Sequence, residues 1–232
     1  MIGRTIVLDD LNGVEAAALI VDGKLEDFLI DSDAPRPGAI YRAVAQRPVK
    51  GQGGMFFATP DGTAFLRQIS GIAPGQVMLV QVTGYAEDGK AIPVTDRILF
   101  KSRYAIVTPD APGLNISRQI RDEDQREALM AIAHEEMGDS AMGLILRSSC
   151  AGADADDIAE DVRAMADLAE QVLADATGGP EKLTEGDGPH ILAWRDWTDP
   201  AEVVTETGGF ENRGVLDLLE CLKSPLVPLA GG

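Results

Sequence analysis

Two stretches of sequence decide the fold, residues 104–120 (YAIVTPDAPGLNISRQI) and residues 142–149 (MGLILRSS). Each contains a short apolar run of strand length, and in the first a loop rich in Pro, Asp and Gly follows that run. The segment 122–136 between them begins with three acidic residues and predicts a helix, because carboxylates are favourable near a helix N-terminus. Residues 154–176 predict a longer helix, since apolar side chains recur there at helical spacing. The order strand, helix, strand, helix predicts an α/β module.

Upstream of this module the sequence predicts only short strands. Three apolar runs separated by Asn-Gly and Asp-Gly turn signals predict an antiparallel meander at residues 5–8, 15–21 and 25–30. The Pro-, Gly- and Asp-rich residues 31–38 are the best candidate for a boundary. More short strands follow at roughly ten-residue spacing, which indicates a barrel or a sandwich, and five such strands fit an OB-type barrel. They are predicted at residues 40–46, 54–58, 64–68, 77–84 and 91–100.

The C-terminal part is less regular. A linker rich in Gly, Asp and Pro is predicted from residue 178 to residue 189, followed by a mixed segment that contains Trp194 and Trp197. A helix is predicted around residues 212–223, and an apolar tail follows at residues 225–229. The whole chain is therefore predicted to be of mixed α+β class.

Charge is unevenly distributed along the chain. The formal net charge of the 232 residues is −18, which by itself argues against binding to nucleic acid. Residues 36–121, however, carry eleven basic side chains against five acidic ones, whereas residues 151–232 carry five basic against eighteen acidic. A polyanion is therefore expected to bind the middle third of the chain and to be repelled by the C-terminal third.

The sequence shows no sign of export or of a disulfide framework. Asp9 and Asp10 come before any apolar run long enough for a signal peptide, and no later stretch has the length of a membrane span. We therefore expect a cytoplasmic protein without membrane association. Cys150 and Cys221 lie 71 positions apart without a nearby His or second Cys pair, so neither a zinc site nor a disulfide framework is predicted.

The strand, loop, ISRQI element and Arg-Ser strand end described above together resemble the 5′-end sensor of the ribonuclease E/G family. The resemblance extends over nearly the whole chain and is strongest over residues 100–175. It implies a ribonuclease-H-like subdomain that is interrupted by an OB-type, S1-like β-barrel and by an α/β 5′-sensor module. The implied parts are 1–35 and 181–232 for the ribonuclease-H-like subdomain, 36–101 for the barrel and 102–180 for the sensor.

The resemblance assigns a terminal 5′-monophosphate to Arg147 and Ser148, with Ser in place of the family's usual Thr. A guanidinium fork matches phosphate oxygens, and a hydroxyl and backbone N–H groups can complete the site. Ser102 and Ile106 match two supporting backbone positions, and Ser102 stands where the family usually has Gly, so its side chain could crowd the phosphate. The alternative is that Arg147 caps strand carbonyls or pairs with an acidic residue of the neighbouring helix.

In the barrel, the resemblance assigns base stacking to Phe56 and Phe65 and a backbone contact to Lys90. Strand alternation requires that either Phe56 or Phe57 point into the core instead. The basic residues usual for the family after the start of the barrel are reduced here to Arg42, which predicts low affinity.

The function implied is binding of single-stranded RNA and sensing of its 5′-monophosphate, as the targeting part of a ribonuclease E/G-like endoribonuclease in RNA processing or decay. In that family the carboxylates that hold Mg²⁺ for hydrolysis lie beyond the position that matches Gly232. We therefore expect no catalytic residue, metal site or cofactor within this chain, which suggests a truncated chain or a split gene, and whether it is itself an enzyme stays open. Self-association into a homo-oligomer is also left open.

Two other functions are considered. In the first, the protein is a non-catalytic protein-interaction module, and its acidic C-terminal third, residues 151–232, is the binding surface. Its binding should be much less sensitive to salt than binding to phosphates. Asp9 and Asp10 follow a predicted strand, as metal-binding carboxylates do in active ribonuclease H folds, and would give a weak nuclease. Companion carboxylates at neighbouring strand ends are not evident in the sequence.

Overall fold

The structure is a computed structural model that describes residues 2–51 and 53–223. The chain divides into two compact units. The discontinuous unit consists of residues 1–32 and 188–232, and the central unit consists of residues 33–187. The apolar tail predicted at residues 225–229 lies outside the described residues.

The described residues form the following strands and helices, numbered in chain order. The strands are β1 (Arg4–Leu11), β2 (Val14–Val21), β3 (Lys24–Ile30), β4 (Ile40–Val49), β5 (Gly54–Thr59), β6 (Gly62–Arg67), β7 (Val77–Val82), β8 (Ile92–Thr95), β9 (Phe100–Lys101), β10 (Ala105–Thr108), β11 (Leu114–Ile116), β12 (Gly143–Leu146), β13 (Glu181–Thr184) and β14 (Glu202–Val204). The helices are α1 (Glu123–Met137), α2 (Ala155–Ala174), α3 (Pro189–Asp196), α4 (Gly209–Asn212) and α5 (Val215–Lys223).

The discontinuous unit is built on one sheet with the strand order β14-β1-β2-β3. The three N-terminal strands are antiparallel, as the meander predicts, and β14 pairs with β1 in parallel, with Thr5 opposite Glu202. Both faces of the sheet are covered, which explains why β2 is apolar without the alternation of a half-exposed strand. One face packs Val7, Ala16, Ala18, Val204, Phe210 and Val215, and the other packs Ile6, Ala17, Leu19, Ala193 and Trp197.

The C-terminal helices of this unit differ from the sequence prediction. The mixed segment around Trp194 forms the helix α3, which begins with Pro189 at its first turn, a position that suits the fixed φ of proline. The helix predicted around residues 212–223 is α5, which begins at Val215, and the short helix α4 before it was not predicted. Gly214 separates the two helices with a φ of 66°, a left-handed conformation that ends a helix.

The first part of the central unit is a closed five-stranded barrel, as predicted and consistent with an OB-type fold. The strand order is β4-β5-β6-β8-β7, and β7 returns to pair with β4. The prediction of a single strand over residues 91–100 is wrong. A turn divides this segment into two strands, β8 in the barrel and β9 in another sheet. The side-chain amide of Gln81 fixes that turn by accepting from the Leu99 N–H (2.9 Å) and donating to the Leu99 carbonyl (2.9 Å).

The segment predicted as a linker contains the strand β13, which pairs with β4 of the barrel. Residues 181–184 therefore lie in the central unit, although the sequence analysis assigns them to the ribonuclease-H-like subdomain. Arg42 on β4 is buried against this segment and donates four hydrogen bonds, to the carbonyls of Gly179 and Asp175 and to the carboxylates of Asp175 and Glu181 (2.6–2.9 Å). Its guanidinium supports the fold and is not presented to a ligand.

The second part of the central unit is an α/β module with a sheet of order β11-β12-β10-β9, packed against α1 and α2. Both helices confirm the sequence prediction to within two residues at each end. Asp122 caps α1 and Asp154 caps α2, each by accepting backbone N–H groups of the first turn. Gly143 opens β12 where a Cβ atom would lie 1.8 Å from the Ala111 carbonyl oxygen, so no larger residue fits there.

Candidate nucleic-acid interface

The barrel carries an open groove of about 1050 Å³, which we call the aromatic groove. Phe56 and Phe65, the two predicted stacking residues, and Lys90, the predicted backbone contact, all line it. The structure thus brings together three residues from three different parts of the barrel sequence. Further lining residues with aromatic or basic side chains are Arg67, Tyr85 and Arg97.

The two phenylalanine rings form a tilted pair with centroids 5.1 Å apart and an interplanar angle of 44°. They lie opposite each other on β5 and β6 and are half-buried, whereas Phe57 is fully buried in the barrel core. The alternation argument is therefore confirmed, with Phe57 as the inward residue. Gly54 allows the Phe65 ring to lie close against β5, because a Cβ atom there would be 2.5 Å from the ring.

Cationic side chains surround this pair. The guanidinium of the exposed Arg47 lies 5.2 Å from the centre of the Phe56 ring, within the range of a cation–π contact. Lys90 is largely exposed and forms an ion pair with Glu87, which also lines the groove. Such an exposed pair is weakly held and can exchange its carboxylate for a phosphate.

Sequence reasoning missed Arg67 and Arg97. A signal exists for Arg67, which is two residues after Phe65 on β6 and therefore projects from the same face of the strand. For Arg97 we find no local signal, because it follows β8 in the turn that the sequence analysis took as part of a strand.

At the edge of the α/β module lie the four residues that the resemblance assigns to the 5′ phosphate, Ser102, Ile106, Arg147 and Ser148. We call them the strand-end cluster. The Nη1 atom of Arg147 donates to the Ser102 carbonyl (2.6 Å) and, more weakly, to the Arg103 carbonyl (3.4 Å). Arg147 also donates its backbone N–H to the Tyr104 carbonyl (2.8 Å). One nitrogen of this guanidinium therefore caps carbonyls, which agrees with the alternative that the sequence left open.

The Ser102 hydroxyl is held within the protein. It donates to a carboxylate oxygen of Asp161 on α2 (2.5 Å), and the same oxygen accepts the Tyr104 backbone N–H (2.9 Å). The Ala105 N–H in turn donates to the Ser102 hydroxyl oxygen (3.2 Å). Asp161 therefore fixes the turn whose carbonyls receive Arg147.

Ser148 and Ile106 complete the cluster. Ser148 is half-buried at the start of a short 3-10 turn, Ser148–Cys150, and its hydroxyl has no hydrogen bond within the described part of the chain. Ile106 lies on β10, opposite Lys101 on one side and Ile145 on the other. Burial raises the pKa of the neighbouring Cys150 thiol to about 12, so that thiol is neutral and packs in the core.

Asp9 has a structural role in the discontinuous unit. Burial acts to raise its pKa, but hydrogen bonds from the backbone N–H groups of Phe210, Asp10 and Gly208 outweigh this and leave the pKa below its ordinary value. Its carboxylate thus caps the start of α4. The ring of His190 contacts the Asp9 carbonyl rather than the carboxylate (3.1 Å).

The described residues contain neither a metal-binding cluster nor a membrane-spanning helix. Within residues 2–51 and 53–223, no group of three or more His, Cys, Asp or Glu side chains is arranged to hold a metal ion. None of the helices described is long and apolar enough to cross a membrane.

Comparison with known proteins agrees with the resemblance. The family model described as "Ribonuclease E/G family" matches residues 100–207. Ribonuclease E from Nostoc sp. is 25% identical over 192 residues, which are 75% of this chain and 28% of the relative. Ribonuclease G from Salmonella typhimurium is 28% identical over 170 residues, or 62% of this chain and 35% of the relative. Probable ribonuclease FAU-1 from Staphylothermus marinus is 32% identical over 102 residues, which are 43% of this chain and 21% of the relative.

Over residues 100–207 the chain therefore matches the ribonuclease E/G family, which confirms the predicted resemblance. It spans about a quarter of the length of the two ribonuclease E relatives that it matches.

Proposed function

We propose that this chain binds single-stranded RNA in the aromatic groove and takes part in RNA processing, as the names of its ribonuclease relatives suggest. Aromatic faces stack on unpaired bases whatever the base, and nearby cations follow the phosphates. The observation that carries the proposal is that Phe56, Phe65 and Lys90 line one open groove together. An S1-like binding mode of the OB-type barrel is part of this proposal.

RNA binding in the groove is tested by removing one of its two phenylalanine rings. Phe65→Ala should weaken binding of an unstructured RNA by about 1–3 kcal/mol, the usual contribution of one stacked base. Ile191→Ala is the control, because it truncates an exposed apolar side chain on α3, outside the groove. Fluorescence anisotropy at several salt concentrations measures both variants. Equal loss in the two variants, or an affinity insensitive to salt, would favour the protein-interaction function of residues 151–232 instead.

The second part of the proposed function is recognition of a 5′-monophosphate at the strand-end cluster. Support comes from the half-buried Ser148, which follows Arg147 in the chain and whose hydroxyl makes no hydrogen bond within the described residues. A hydroxyl and a guanidinium together suit a terminal phosphate. The test compares RNA that bears a 5′-monophosphate with the same RNA bearing a 5′-hydroxyl. Equal affinity of the unmodified chain for the two would show that the cluster does not sense the 5′ end.

At the level of the whole protein, the proposed role is the targeting part of an endoribonuclease, with a ribonuclease-H-like discontinuous unit and a 5′-sensor α/β module. Mg²⁺ would then be needed only by catalytic carboxylates outside this chain. The isolated chain should accordingly not cleave RNA when Mg²⁺ is added. Cleavage that survives repurification and disappears in the Asp9→Asn, Asp10→Asn double variant would assign nuclease activity to this chain.

A further inference from the structure

A further cavity lies within the discontinuous unit, whereas every residue assigned above to RNA belongs to the central unit. Its volume is about 500 Å³, which is in the range of pockets that hold small molecules. It is formed by the start of β1, the end of β2, the start of β14, the junction of α4 with α5, and α5 itself. We call it the end pocket, and the residues that line it include Arg4, Thr5, Ile20, Glu202, Arg213 and Leu218.

The apolar part of the end pocket is built on one face of the sheet. Ile20 on β2 stands opposite Thr5 on β1, and opposed residues of antiparallel strands project from the same face. The helices α4 and α5 cover that face, since Ile20 packs against the core cluster that contains Phe210 and Val215. Leu218 on α5 adds to the apolar wall. The pocket can therefore take up the apolar body of a ligand.

The polar part of the end pocket contains hydrogen-bonding groups that the protein leaves unused. The Nη2 atom of Arg213 donates to the Glu202 carboxylate (2.9 Å), and its Nε and Nη1 atoms have no partner within residues 2–51 and 53–223. The Arg213 side chain is 29% exposed, so most of it is enclosed by the protein. The side chains of Thr5 and Asn212, which also line the pocket, make no hydrogen bond within the same residues.

The charge of the lining indicates which ligand these groups suit. Arg4 is basic as well, and its Nε atom is buried without a hydrogen-bond partner in the described part of the chain. With two arginines and Glu202, the lining has a formal charge of +1 in a chain whose formal charge is −18. A local excess of positive charge favours an anion, and guanidinium donors make strong hydrogen bonds to carboxylates.

We propose that the end pocket binds a small organic acid that has one carboxylate and an apolar body. The carboxylate accepts hydrogen bonds from Arg213 and Thr5, and the apolar body lies against Ile20 and Leu218. A monoanion fits better than a phosphate dianion, because a lining charge of +1 balances one negative charge. Burial of the apolar body favours such an acid over inorganic anions. This binding does not depend on the proposed RNA function, and its test contains no RNA.

The experiment is an NMR titration of the full chain with two probes, 3-phenylpropionate and 4-methylpentanoate, which each join one carboxylate to an apolar body. We expect dissociation constants in the low millimolar range, as the usual affinity per atom gives for ligands of about ten non-hydrogen atoms. The neutral 3-phenylpropan-1-ol and inorganic phosphate are the comparison probes. Each should bind at least about tenfold more weakly, since the alcohol lacks the charge and phosphate lacks the apolar body.

Two substitutions test the assigned residues in opposite directions. Arg213→Ala should weaken binding of the acids by about 10- to 100-fold, the range for loss of a hydrogen bond to a charged group. Glu202→Gln should strengthen binding by about two- to fivefold, because it removes the carboxylate that competes for Arg213. A folding defect does not strengthen binding, so Glu202→Gln keeps the test decisive even if Arg213→Ala fails to fold.

The matched control is Arg195→Ala, which removes an arginine of the same unit that is paired with Asp196 and does not line the pocket. It should leave the affinity for both acids unchanged. The proposal is overturned if neither acid binds the unmodified chain, or if phosphate binds as tightly as the acids. Equal weakening in Arg195→Ala and Arg213→Ala also overturns it, and so does a Glu202→Gln variant that binds the acids no better than the unmodified chain.

Discussion

The aromatic groove and the strand-end cluster belong to the same unit. They differ in how many of their polar groups are already hydrogen-bonded to other groups of the protein. In the groove, the rings of Phe56 and Phe65 are half-buried, and the ion pair of Lys90 lies at the surface. In the cluster, Arg147 and Ser102 are bonded to main-chain carbonyls and to Asp161. On the proposed function, the groove would accept strands of any sequence, whereas the cluster would bind only a ligand that fits its existing hydrogen-bonded geometry.

This difference has a consequence for affinity and discrimination. A groove of stacking faces and exposed cations gives binding that tolerates different bases and weakens with salt. A network of fixed donors gives discrimination between ligands, because its groups do not need to be ordered on binding. Changes in the cluster should therefore alter the preference between RNA ends, and changes in the groove should alter affinity for all RNAs.

The largest expected effect concerns Arg42, a barrel cation that belongs to neither region. Arg42→Ala should lower the free energy of unfolding by about 2–3 kcal/mol, because it removes four hydrogen bonds and leaves two carboxylates without their cation. The loss is not larger because the carboxylates of Asp175 and Glu181 are about 60% exposed to solvent. Urea unfolding measures the effect.

Arg67→Ala is the control for that variant, because it removes an exposed cation of the groove and should change stability by less than about 0.5 kcal/mol while weakening RNA binding. If Arg42→Ala instead weakened RNA binding at unchanged stability, Arg42 would be a ligand contact and the division between buried and presented cations would fail.

Arg147→Ala should have the next largest effect. Loss of a charge-assisted contact to a terminal phosphate costs about 1.5–3 kcal/mol, so the preference for 5′-monophosphate RNA over 5′-hydroxyl RNA should disappear. Ser148→Ala should reduce the preference less, because it removes a neutral donor and retains the charge. Competition binding with the two RNAs measures both. A uniform loss for both RNAs would indicate that Arg147 acts only as a carbonyl cap.

Asp161→Ala should produce an intermediate effect on the cluster alone. Without its carboxylate, the turn that contains Ser102 and Tyr104 loses two hydrogen bonds, and we expect a loss of about 1 kcal/mol in the 5′-monophosphate preference. Asp167→Ala on the exposed face of the same helix is the control for charge. Equal results for the two variants would mean that charge near the helix, rather than the turn, determines the preference.

The smallest effect is expected in the groove, from Gly54→Ala. The new methyl group would lie 2.5 Å from the Phe65 ring and 3.0 Å from the Leu66 carbonyl oxygen, so the ring must move, and binding of all RNAs should weaken by about 0.5–1 kcal/mol. Gly179→Ala is the control, because nothing lies within 4 Å of its added Cβ atom. A change in preference between the two RNA ends would contradict the separation of the two regions.

The sequence by itself predicted most of the elements, because their signals are local. Asp122 and Asp154 mark helix starts since a capping side chain bonds to backbone two or three residues away. Alternation along β5 requires one of two adjacent phenylalanines to point inward, and Phe57 does. The ISRQI element and the Arg-Ser strand end were enough to recognise the family.

The use of individual side chains was decided only by the tertiary structure. Ser102 and Asp161 are 59 positions apart, and Arg42 meets Glu181 across 139 positions, so no local pattern predicts either contact. Neighbouring arginines in the sequence have different surroundings: Arg118 and Arg121 are exposed on the turn that Arg126 holds. Burial and pairing are properties of the folded arrangement, because they depend on which distant segments the sheets bring together. Residue type and spacing therefore defined the elements, and packing determined which cations support the fold and which remain exposed.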